Sequence, residues 1–363
     1  MAERADRETA PAAAAGGKVV VAIATPLEAD LVATIRAVDP RLEVLYEPEL
    51  LPPIRFPGDH QGLDAFRRTA EQDGRWRALL GSAEIFFGLP GDSGAGLGEA
   101  VRIAPNLRWV QGMAAGTGEQ VRVAKLTAVD LERVTITTAS GVHGAQLAEF
   151  AFLGLLALTK DLPRLLRDKS ERRWAHYPVP ELRGQTLLVV GLGSIGEALA
   201  RRAKAFGMRV IGVNRSGATE SPDVDEIHAV GSLEDLLPRA DAVVVALPST
   251  DETRRIFDER AFGLMRDGAI FVNVGRGAVV DEDALVVALR SGRLHGAALD
   301  VFATEPLPVE SPLWNLPNVL ISPHTAAFSI RENARIVDLF CENLLRYLAG
   351  QELVNRVDPR RFY

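Results

Sequence analysis

The sequence predicts an α/β protein that contains a doubly wound parallel sheet. Apolar runs of strand length alternate with helical segments between residues 186 and 321, and several of these runs contain no polar residue. Such strands are typical of a parallel sheet that is covered by helices on both faces. The 363 residues are too many for one ordinary compact domain and suit two domains, each long enough to bury a core.

The composition limits the partners and the cellular location. The formal net charge is −7 and no basic tract is present, which argues against nucleic acid as a partner. A single cysteine, Cys341, excludes an internal disulfide and a cysteine-rich metal site; we expect a cytoplasmic protein without metal. No apolar run approaches the ~20 residues that cross a bilayer, so no membrane partner is expected. Residues 1–17 lack the pattern of a signal peptide and are predicted to form a disordered tail.

The first domain is predicted to be a small α/β unit. Residues 48–62 are rich in proline and glycine and are expected to form a long surface loop, whereas residues 63–80 have the apolar spacing of a helix. The other predicted elements are strands at 18–24, 42–46, 83–88, 107–111 and 134–139, and helices at 27–38 and 97–103.

A loop of small residues, Gly112 to Gly118, follows the predicted strand at 107–111. Such a loop at the carboxyl end of a strand exposes backbone N–H groups that could hold a carboxylate. It is equally compatible with a plain turn, and both interpretations stay open at this point.

The second half of the chain is expected to begin with one long apolar helix at 145–166, buried partly against another subunit. Residues 167–183 are predicted to be an arm, and a helix at 329–350 is expected to return to the first domain. The chain would then cross between the domains twice, and the cleft at the crossing is the predicted active site. Between these segments, two predicted sheet strands begin at residues 186 and 209. The other five lie at 226–230, 241–247, 269–274, 295–301 and 318–321.

The first strand of that sheet leads directly into a glycine motif. Gly191, Gly193 and Gly196 have the spacing Gly-x-Gly-x-x-Gly and are followed by a helical segment. The first glycine permits a tight turn, the second lets a pyrophosphate approach the backbone, and the third lets the helix pack closely on the strand. The motif alone is weak evidence, but the strand and helix around it are the context that it requires. The sequence therefore predicts a dinucleotide-binding site.

The end of the second strand of the sheet indicates which dinucleotide binds. An acidic residue about 20 residues beyond the glycines would hold the ribose hydroxyls of NAD. Instead, Asn214, Arg215 and Ser216 occupy this position. Asn214 removes the carboxylate that would repel a 2′-phosphate, and Arg215 supplies a permanently charged donor that can bind one. We expect NADP(H) to be preferred over NAD(H); the alternative is that Arg215 is only a solvated loop charge.

Three chargeable side chains follow the last strands of the sheet, where open α/β sheets bind their ligands. Arg276 could bind a carboxylate through both guanidinium nitrogens, His324 could exchange a proton, and Glu305 could keep that imidazole charged. Taken singly, each is more often an ordinary surface or loop residue than a catalytic group. Their joint position downstream of a dinucleotide motif favours hydride transfer between a 2-hydroxy acid and a 2-oxo acid.

Four ordered segments resemble the D-isomer-specific 2-hydroxyacid dehydrogenases: residues 191–196, 272–277, 300–306 and 322–324. The family includes D-lactate and D-3-phosphoglycerate dehydrogenases and glyoxylate/hydroxypyruvate reductases, and the resemblance extends from residue 18 to residue 353. It implies a homodimer. The predicted fold is a Rossmann-type doubly wound dinucleotide-binding domain at 141–325, plus a smaller flavodoxin-like α/β substrate domain at 18–140 and 326–363.

The resemblance also implies a role for each site residue. Arg276 would bind the substrate carboxylate and carbonyl, His324 would be the general acid/base, and Glu305 its partner. Asp300 would hold the nicotinamide carboxamide. Met113, Ala114, Ala115, Gly116 and Arg276 are the expected substrate-binding residues. The expected cofactor-binding residues are Gly191, Gly193, Ser194, Ile195, Gly196, Asn214, Arg215, Ser216, Leu247, Pro248, Val274, Gly275, Arg276, Asp300, His324 and Ala326.

The chain departs from the family pattern in two places. The substrate loop reads Ala114-Ala115-Gly116 where the family usually has Gly-Ala-Gly, and residues 48–74 look longer than in typical members. The predicted function is reversible hydride transfer between NADP(H) and a small D-2-hydroxy acid/2-oxo acid pair of the glyoxylate or hydroxypyruvate type. The alternatives are phosphite oxidation on the same fold and a dinucleotide-sensing, corepressor-like binding protein; Glu305 argues against formate oxidation, since formate enzymes of this group carry glutamine there.

Overall fold

The computed structural model describes residues 17–359, and their contacts divide into two compact units. Unit 1 contains the described residues up to Val142 and from Ser329 onward, and unit 2 runs from His143 to Phe328. Each unit is built on a parallel sheet with helices, which confirms the predicted fold class. Except for Gly17, the predicted tail lies outside the described residues.

Each unit contains one parallel sheet. The strands of unit 1 are β1 (Val19–Ile23), β2 (Leu42–Leu45), β3 (Ile85–Phe87), β4 (Trp109–Gln111) and β5 (Thr135–Thr137). Those of unit 2 are β6 (Thr186–Val190), β7 (Arg209–Asn214), β8 (Glu226–Ala229), β9 (Ala242–Val245), β10 (Ala269–Asn273), β11 (Leu294–Leu299) and β12 (Val319–Ile321). The strand orders are β2-β1-β3-β4-β5 and β12-β11-β10-β9-β6-β7-β8. The first is the flavodoxin-like order and the second contains the Rossmann order.

Helices connect these strands in both units. They are α1 (Ala29–Arg36), α2 (Ala70–Ser82), α3 (Gly94–Ile103), α4 (Thr117–Ala124), α5 (Ala128–Arg133), α6 (Gly144–Thr159), α7 (Leu162–Ser170), α8 (Ser194–Ala205), α9 (Leu233–Leu236), α10 (Glu259–Leu264), α11 (Glu282–Arg290) and α12 (Glu332–Leu348). None of the described helices is long and apolar enough to span a membrane.

The cores explain why these segments fold as they do. The side chains of β9 are fully buried, as a strand covered on both faces requires. In unit 1, α12 brings Phe340 onto the sheet, where its ring stacks on Trp109 with the ring centroids 4.8 Å apart. This contact joins the C-terminal segment to the core formed by the first part of the chain.

The prediction of one helix at 145–166 is wrong. The chain forms α6 and α7 instead, because Asp161 between them adopts a left-handed backbone conformation with φ of +53°. The Asp161 carboxylate accepts a hydrogen bond from the N–H of Arg164 and so begins α7 as its N-cap. Pro163 lacks an N–H group and could not have continued the hydrogen-bond pattern of α6.

The predictions for residues 48–80 need two corrections. The helix begins at Ala70 rather than at residue 63, because Thr69 and Gln72 form a reciprocal capping box. The loop at 48–62 does not lie wholly on the surface, because Leu50, Asp59 and several neighbours are buried. Side-chain hydrogen bonds fold this loop back onto unit 1, a feature that proline and glycine content does not reveal.

Candidate active site

The glycine turn has the geometry that a pyrophosphate requires. Gly191 has φ of +107°, and a Cβ on it would lie 2.7 Å from the carbonyl oxygen of Ala246. A Cβ on Gly196 would lie 2.2 Å from the carbonyl oxygen of Gly191, so helix and strand pack too closely for any side chain. By contrast, a Cβ on Gly193 would meet no atom within 4 Å. The open backbone at Gly193, beside the exposed Ser194 at the start of α8, fits the phosphates of a dinucleotide.

The predicted ribose position is organised by Asn214 at the end of β7. Its Oδ1 accepts a hydrogen bond from the N–H of Gly217 at 2.7 Å, and its Nδ2 donates to the carbonyl of Ala218 at 2.7 Å. The Asn214 amide therefore folds the following turn, which holds Arg215 and Ser216 on the solvent-exposed surface. A basic side chain stands here with no carboxylate at the strand end, an arrangement suited to a 2′-phosphate.

The three predicted catalytic residues follow neighbouring strands. In the sheet register, Asn273 pairs with Leu299, and Leu299 pairs with Ile321. The backbone continues this pairing past the strand ends, since the N–H of Asp300 donates to Asn273 at 3.1 Å and that of Ser322 to Leu299 at 2.9 Å. The carboxyl ends of β10, β11 and β12 thus lie along one edge of the sheet.

His324 and Glu305 form a direct pair at this edge. His324 Nδ1 lies 2.7 Å from Glu305 Oε2, and Glu305 Oε1 accepts a hydrogen bond from the N–H of Phe302 at 2.9 Å. The imidazole side chain is 45% exposed, which leaves its second nitrogen accessible to a ligand. A carboxylate on Nδ1 orients the ring and stabilises positive charge on it, as a general acid requires.

The backbone of His324 is held in an unusual conformation by Asp300. His324 has φ of +56°, and its N–H donates to the carbonyl of Asp300 at 2.9 Å. The buried Asp300 carboxylate is itself fixed, because its Oδ1 accepts hydrogen bonds from Ser322 Oγ at 2.6 Å and from the N–H of Ala326 at 3.0 Å. Its Oδ2 accepts no hydrogen bond from the described residues, so this oxygen is available to the carboxamide that the resemblance assigns to it.

Arg276 lies in the loop after β10, where two glycines permit close packing. Arg276 Nη1 donates to the carbonyl of Gly275 at 2.8 Å, whereas its Nε and Nη2 donate to none of the described residues. A Cβ on Gly277 would lie 1.9 Å from the carbonyl carbon of Phe302. The loops that carry Arg276 and Glu305 therefore touch through their backbones, and the guanidinium keeps donors for a carboxylate.

Sequence reasoning missed three residues that position the catalytic loops. Asn273 donates to the carbonyl of Arg276 at 3.1 Å, and Ser322 anchors Asp300 as described above. Glu282 Oε1 accepts from the N–H of Ala303 at 2.5 Å, and burial raises the pKa of this carboxyl. Asn273 and Ser322 lie within the motifs 272–277 and 322–324, so these motifs could have identified them. Glu282 lies outside the motifs, and no local pattern in the sequence identifies it.

The loop predicted to bind the substrate in unit 1 exposes backbone donors. The N–H groups of Ala114, Ala115 and Gly116 donate to no residue in the described part of the chain. Thr117 Oγ1 donates to the carbonyl of Ala114 at 2.7 Å and closes the turn before α4. Met113, in contrast, buries its side chain in the core of unit 1, so only its backbone can reach a ligand. This geometry favours the anion-binding interpretation of the loop over the plain turn.

The remaining predicted cofactor residues flank the glycine turn and the catalytic loops of unit 2. Leu247 and Pro248 follow β9, where a Cβ on Gly275 would lie 2.6 Å from the carbonyl oxygen of Leu247. Val274 is buried and its N–H donates to Val245 at 3.0 Å; Ile195 lies in the first turn of α8. Among the described residues, no group of three or more histidine, cysteine or acidic side chains could hold a metal ion.

Comparison with known proteins agrees with this geometry. Residues 152–326 match the family model of the D-isomer specific 2-hydroxyacid dehydrogenase NAD-binding domain. The chain is 35% identical over 269 residues to a glyoxylate reductase of Korarchaeum cryptofilum, which covers 72% of this chain and 79% of that protein. It is 39% identical over 274 residues to a glyoxylate reductase of Aeropyrum pernix, and this match covers 70% of this chain and 78% of that protein.

A solved structure extends the similarity to both units. The D-isomer specific 2-hydroxyacid dehydrogenase of Xanthobacter autotrophicus Py2, crystallised with NADPH and MES, has a TM-score of 0.74 and 30% identity, and the match covers 96% of this chain and 100% of that one. The chain described here therefore belongs to the D-isomer specific 2-hydroxyacid dehydrogenase family and is a nicotinamide-dependent oxidoreductase that acts on the CH–OH group of its donor.

Proposed function

We propose that this enzyme uses NADP(H) to reduce small 2-oxo acids of the glyoxylate or hydroxypyruvate type to D-2-hydroxy acids. The observation that carries the proposal is the 2.7 Å contact between His324 Nδ1 and Glu305 Oε2. Arg276, at the end of the neighbouring strand, uses only Nη1 in a hydrogen bond to a described residue, so its other nitrogens can bind a carboxylate. Two relatives that are more than a third identical to the chain are glyoxylate reductases, and this similarity supports the proposed substrate class.

Each residue has a separate task in the proposed reaction. The nicotinamide supplies the hydride when the cofactor is bound. His324 delivers a proton to the carbonyl oxygen, while Glu305 keeps the imidazole oriented and stabilises its charge. Arg276 binds the substrate carboxylate and carbonyl as a planar donor. The N–H groups of residues 114–116 also bind the carboxylate, in the manner of a backbone anion site.

The proposed preference for NADP(H) rests on the turn after β7. Asn214 replaces the acid that would bind the ribose hydroxyls of NAD, and its hydrogen bonds to Gly217 and Ala218 fix the turn that presents Arg215. The NADPH bound in the related structure from Xanthobacter autotrophicus Py2 agrees with this preference.

The test is oxidation of NADPH and of NADH, followed in parallel with glyoxylate, hydroxypyruvate and pyruvate as substrates. We expect turnover with NADPH ahead of NADH. Replacing Arg215 by Ala is expected to raise KM for NADPH about tenfold or more and to leave KM for NADH nearly unchanged, because only the 2′-phosphate loses a charged hydrogen bond.

Two controls make this test specific. Arg201→Ala removes an exposed arginine of α8 that pairs with Asp223, outside the turn at residues 214–218, and is expected to leave the ratio of the two KM values unchanged. Equal use of NADPH and NADH by the wild type would contradict the cofactor preference but not the proposed substrate class. Absence of turnover with every acid, despite measurable cofactor binding, would contradict the proposed substrate class.

We also propose that α6, α7 and the segment after them form the interface of a homodimer. This stretch exposes several large apolar side chains to solvent: Leu153, Leu165, Leu166 and Trp174. Trp174 is 92% exposed, an arrangement that burial against a second copy would stabilise.

A further inference from the structure

A carboxylate outside the predicted catalytic residues holds the loop that carries Glu305. Glu282 is the first residue of α11, but Asp281 caps this helix by accepting a hydrogen bond from the N–H of Ala284 at 3.3 Å. The Glu282 side chain reaches out of the helix instead, and its Oε1 accepts a hydrogen bond from the N–H of Ala303 at 2.5 Å. The two residues lie 21 positions apart, so this contact joins α11 to the loop after β11.

The peptide that Glu282 holds is the place where the two catalytic loops meet. A Cβ on Gly277 would lie 1.9 Å from the carbonyl carbon of Phe302 and 2.4 Å from the nitrogen of Ala303. The loop of Arg276 therefore packs directly on the peptide between residues 302 and 303. Because backbone packing and the hydrogen bond to Glu282 act on the same peptide, its position decides how the two loops fit together.

The same peptide segment orients Glu305. The N–H of Phe302 donates to Glu305 Oε1 at 2.9 Å, and Glu305 Oε2 lies 2.7 Å from His324 Nδ1. Two successive N–H groups, those of Phe302 and Ala303, are thus bound by two different carboxylates. If Ala303 loses its anchor, the N–H of Phe302 can turn, and Glu305 loses part of its orientation toward the imidazole. Catalysis is sensitive to such changes, since a misplacement of about 1 Å can cost about a hundredfold in rate.

The surroundings of Glu282 make its charge sensitive to pH. Burial raises the pKa of the Glu282 carboxyl, and the hydrogen bond from Ala303 only partly offsets this effect. The negative charges of Asp283 and Glu305 raise the pKa of Glu282 further. Glu282 forms no ion pair with any residue that the structure describes. It therefore takes up a proton at a higher pH than an ordinary glutamate does.

A cavity of about 400 Å³ adjoins the contact between Glu282 and Ala303. Arg255 Nη1 lies 3.7 Å from Asp281 Oδ2, so the charge of this arginine acts mainly on Asp281 rather than on Glu282. Glu282 is partly exposed, and solvent in the cavity can exchange a proton with it. The cavity is lined by Glu282, Ala303 and the charged side chains of Arg254, Arg255, Asp281 and Asp283.

We propose that Glu282 is a positioning residue of the reaction. Its ionised carboxylate holds the N–H of Ala303, and the loop thereby keeps Glu305 in contact with His324. A protonated carboxyl binds this N–H more weakly, because a charge-assisted hydrogen bond is about twice as strong as a neutral one. The enzyme with ionised Glu282 is thus the more active form. This inference rests on the proposed roles of Glu305 and His324, but not on the identity of the 2-oxo acid.

The first test compares Glu282→Ala with Glu282→Gln in the oxidation of NADPH with glyoxylate. Alanine removes the acceptor, so kcat is expected to fall about tenfold or more, while KM for NADPH changes less than about twofold. Glutamine keeps an oxygen that can accept from Ala303, and kcat is expected to return to within about threefold of the wild type. A lower thermal unfolding midpoint with unchanged kcat in Glu282→Ala would show a purely structural role and overturn the proposal.

The second test is the ratio of kcat of the wild type to kcat of Glu282→Gln, measured between about pH 5 and pH 8. Both enzymes contain His324 and Glu305, so pH effects on these two residues cancel in the ratio. We expect a ratio of about two to three at neutral pH. It should decline toward one as the pH falls, because Glu282 takes up a proton whereas the amide is uncharged throughout.

The control for this ratio is Asp283→Asn. Asp283 is exposed and lines the same cavity, but it binds no N–H group of the described residues, so kcat is expected to equal that of the wild type at each pH. A ratio for Glu282→Gln that does not change with pH would overturn the proposal, and this test decides the question if Glu282→Ala does not fold. Wild-type enzyme that reduces no 2-oxo acid would contradict the proposed function and this inference with it.

Discussion

The loops at the carboxyl edge of the sheet are fixed by different interactions in the two units. In unit 2, backbone packing fixes the loops that carry Arg276 and Glu305, since Gly277 leaves no room for a Cβ beside Phe302. In unit 1, side chains hold the loop around His60, chiefly the Arg55–Asp59 ion pair and the hydrogen bonds of Asn333. We therefore expect the loop at Gly277 to be sensitive to an added atom and the loop around Asp59 to be sensitive to a change of charge.

The largest expected effect separates chemistry from structure in unit 2. His324→Asn removes the proton donor, and kcat is expected to fall about 10²–10⁴-fold. Asparagine tolerates the left-handed conformation of residue 324, so the thermal unfolding midpoint is expected to stay close to that of the wild type. Steady-state kinetics measure kcat, and a thermal unfolding curve measures the midpoint. His228→Asn, on β8, is the matched control, and a kcat loss below tenfold in His324→Asn would contradict the general-acid role.

The second prediction tests backbone packing. Gly277→Ala places a Cβ 1.9 Å from the carbonyl carbon of Phe302, so the two catalytic loops must separate. We expect the free energy of unfolding to fall by about 3 kcal/mol, together with a loss of activity. Urea denaturation measures the change. The control is Gly263→Ala in α10, where a Cβ meets no atom within 4 Å and a gain of about 0.5 kcal/mol is expected; equal effects in both variants would refute the comparison.

The third prediction tests the charge dependence of unit 1. The Arg55 guanidinium lowers the pKa of Asp59 to about 2, so this pair stabilises the fold above the carboxyl's unfolded pKa and stops doing so as the pH falls through about 2. Asp59→Asn is expected to lower the free energy of unfolding by about 1 kcal/mol at neutral pH.

The difference between Asp59→Asn and wild type should shrink as the pH is lowered below about 4, because Asp59 of the unfolded wild-type chain then takes up a proton, while the folded chain keeps this carboxylate charged down to about pH 2. Urea denaturation at a series of pH values measures it. Asp64→Asn, an exposed residue of the same segment, is the control. A difference that does not change with pH would show that the ion pair does not stabilise this loop.

Sequence patterns located the strands well and the connections less well. Continuous apolar runs fixed β6, β9 and β10, because only a two-sided buried strand needs such a run. The helix break at Asp161 was missed because apolar spacing continues on both sides of it. The hydrogen bond of His60 with Asn333 was also missed, since the two residues lie 273 positions apart in the chain.

By itself, the sequence determined the α/β class, the glycine turn at 191–196 and the choice of Arg276, Glu305 and His324 as catalytic candidates. These features depend on local periodicity and on residue types at strand ends, which a sequence records directly. Only the tertiary structure decided the contact of His324 with Glu305, the anchoring of Asp300 by Ser322 and the contact of His60 with Asn333. Each of these joins segments that the sheet register brings together, and hydrogen bonds depend on distances that no local pattern specifies.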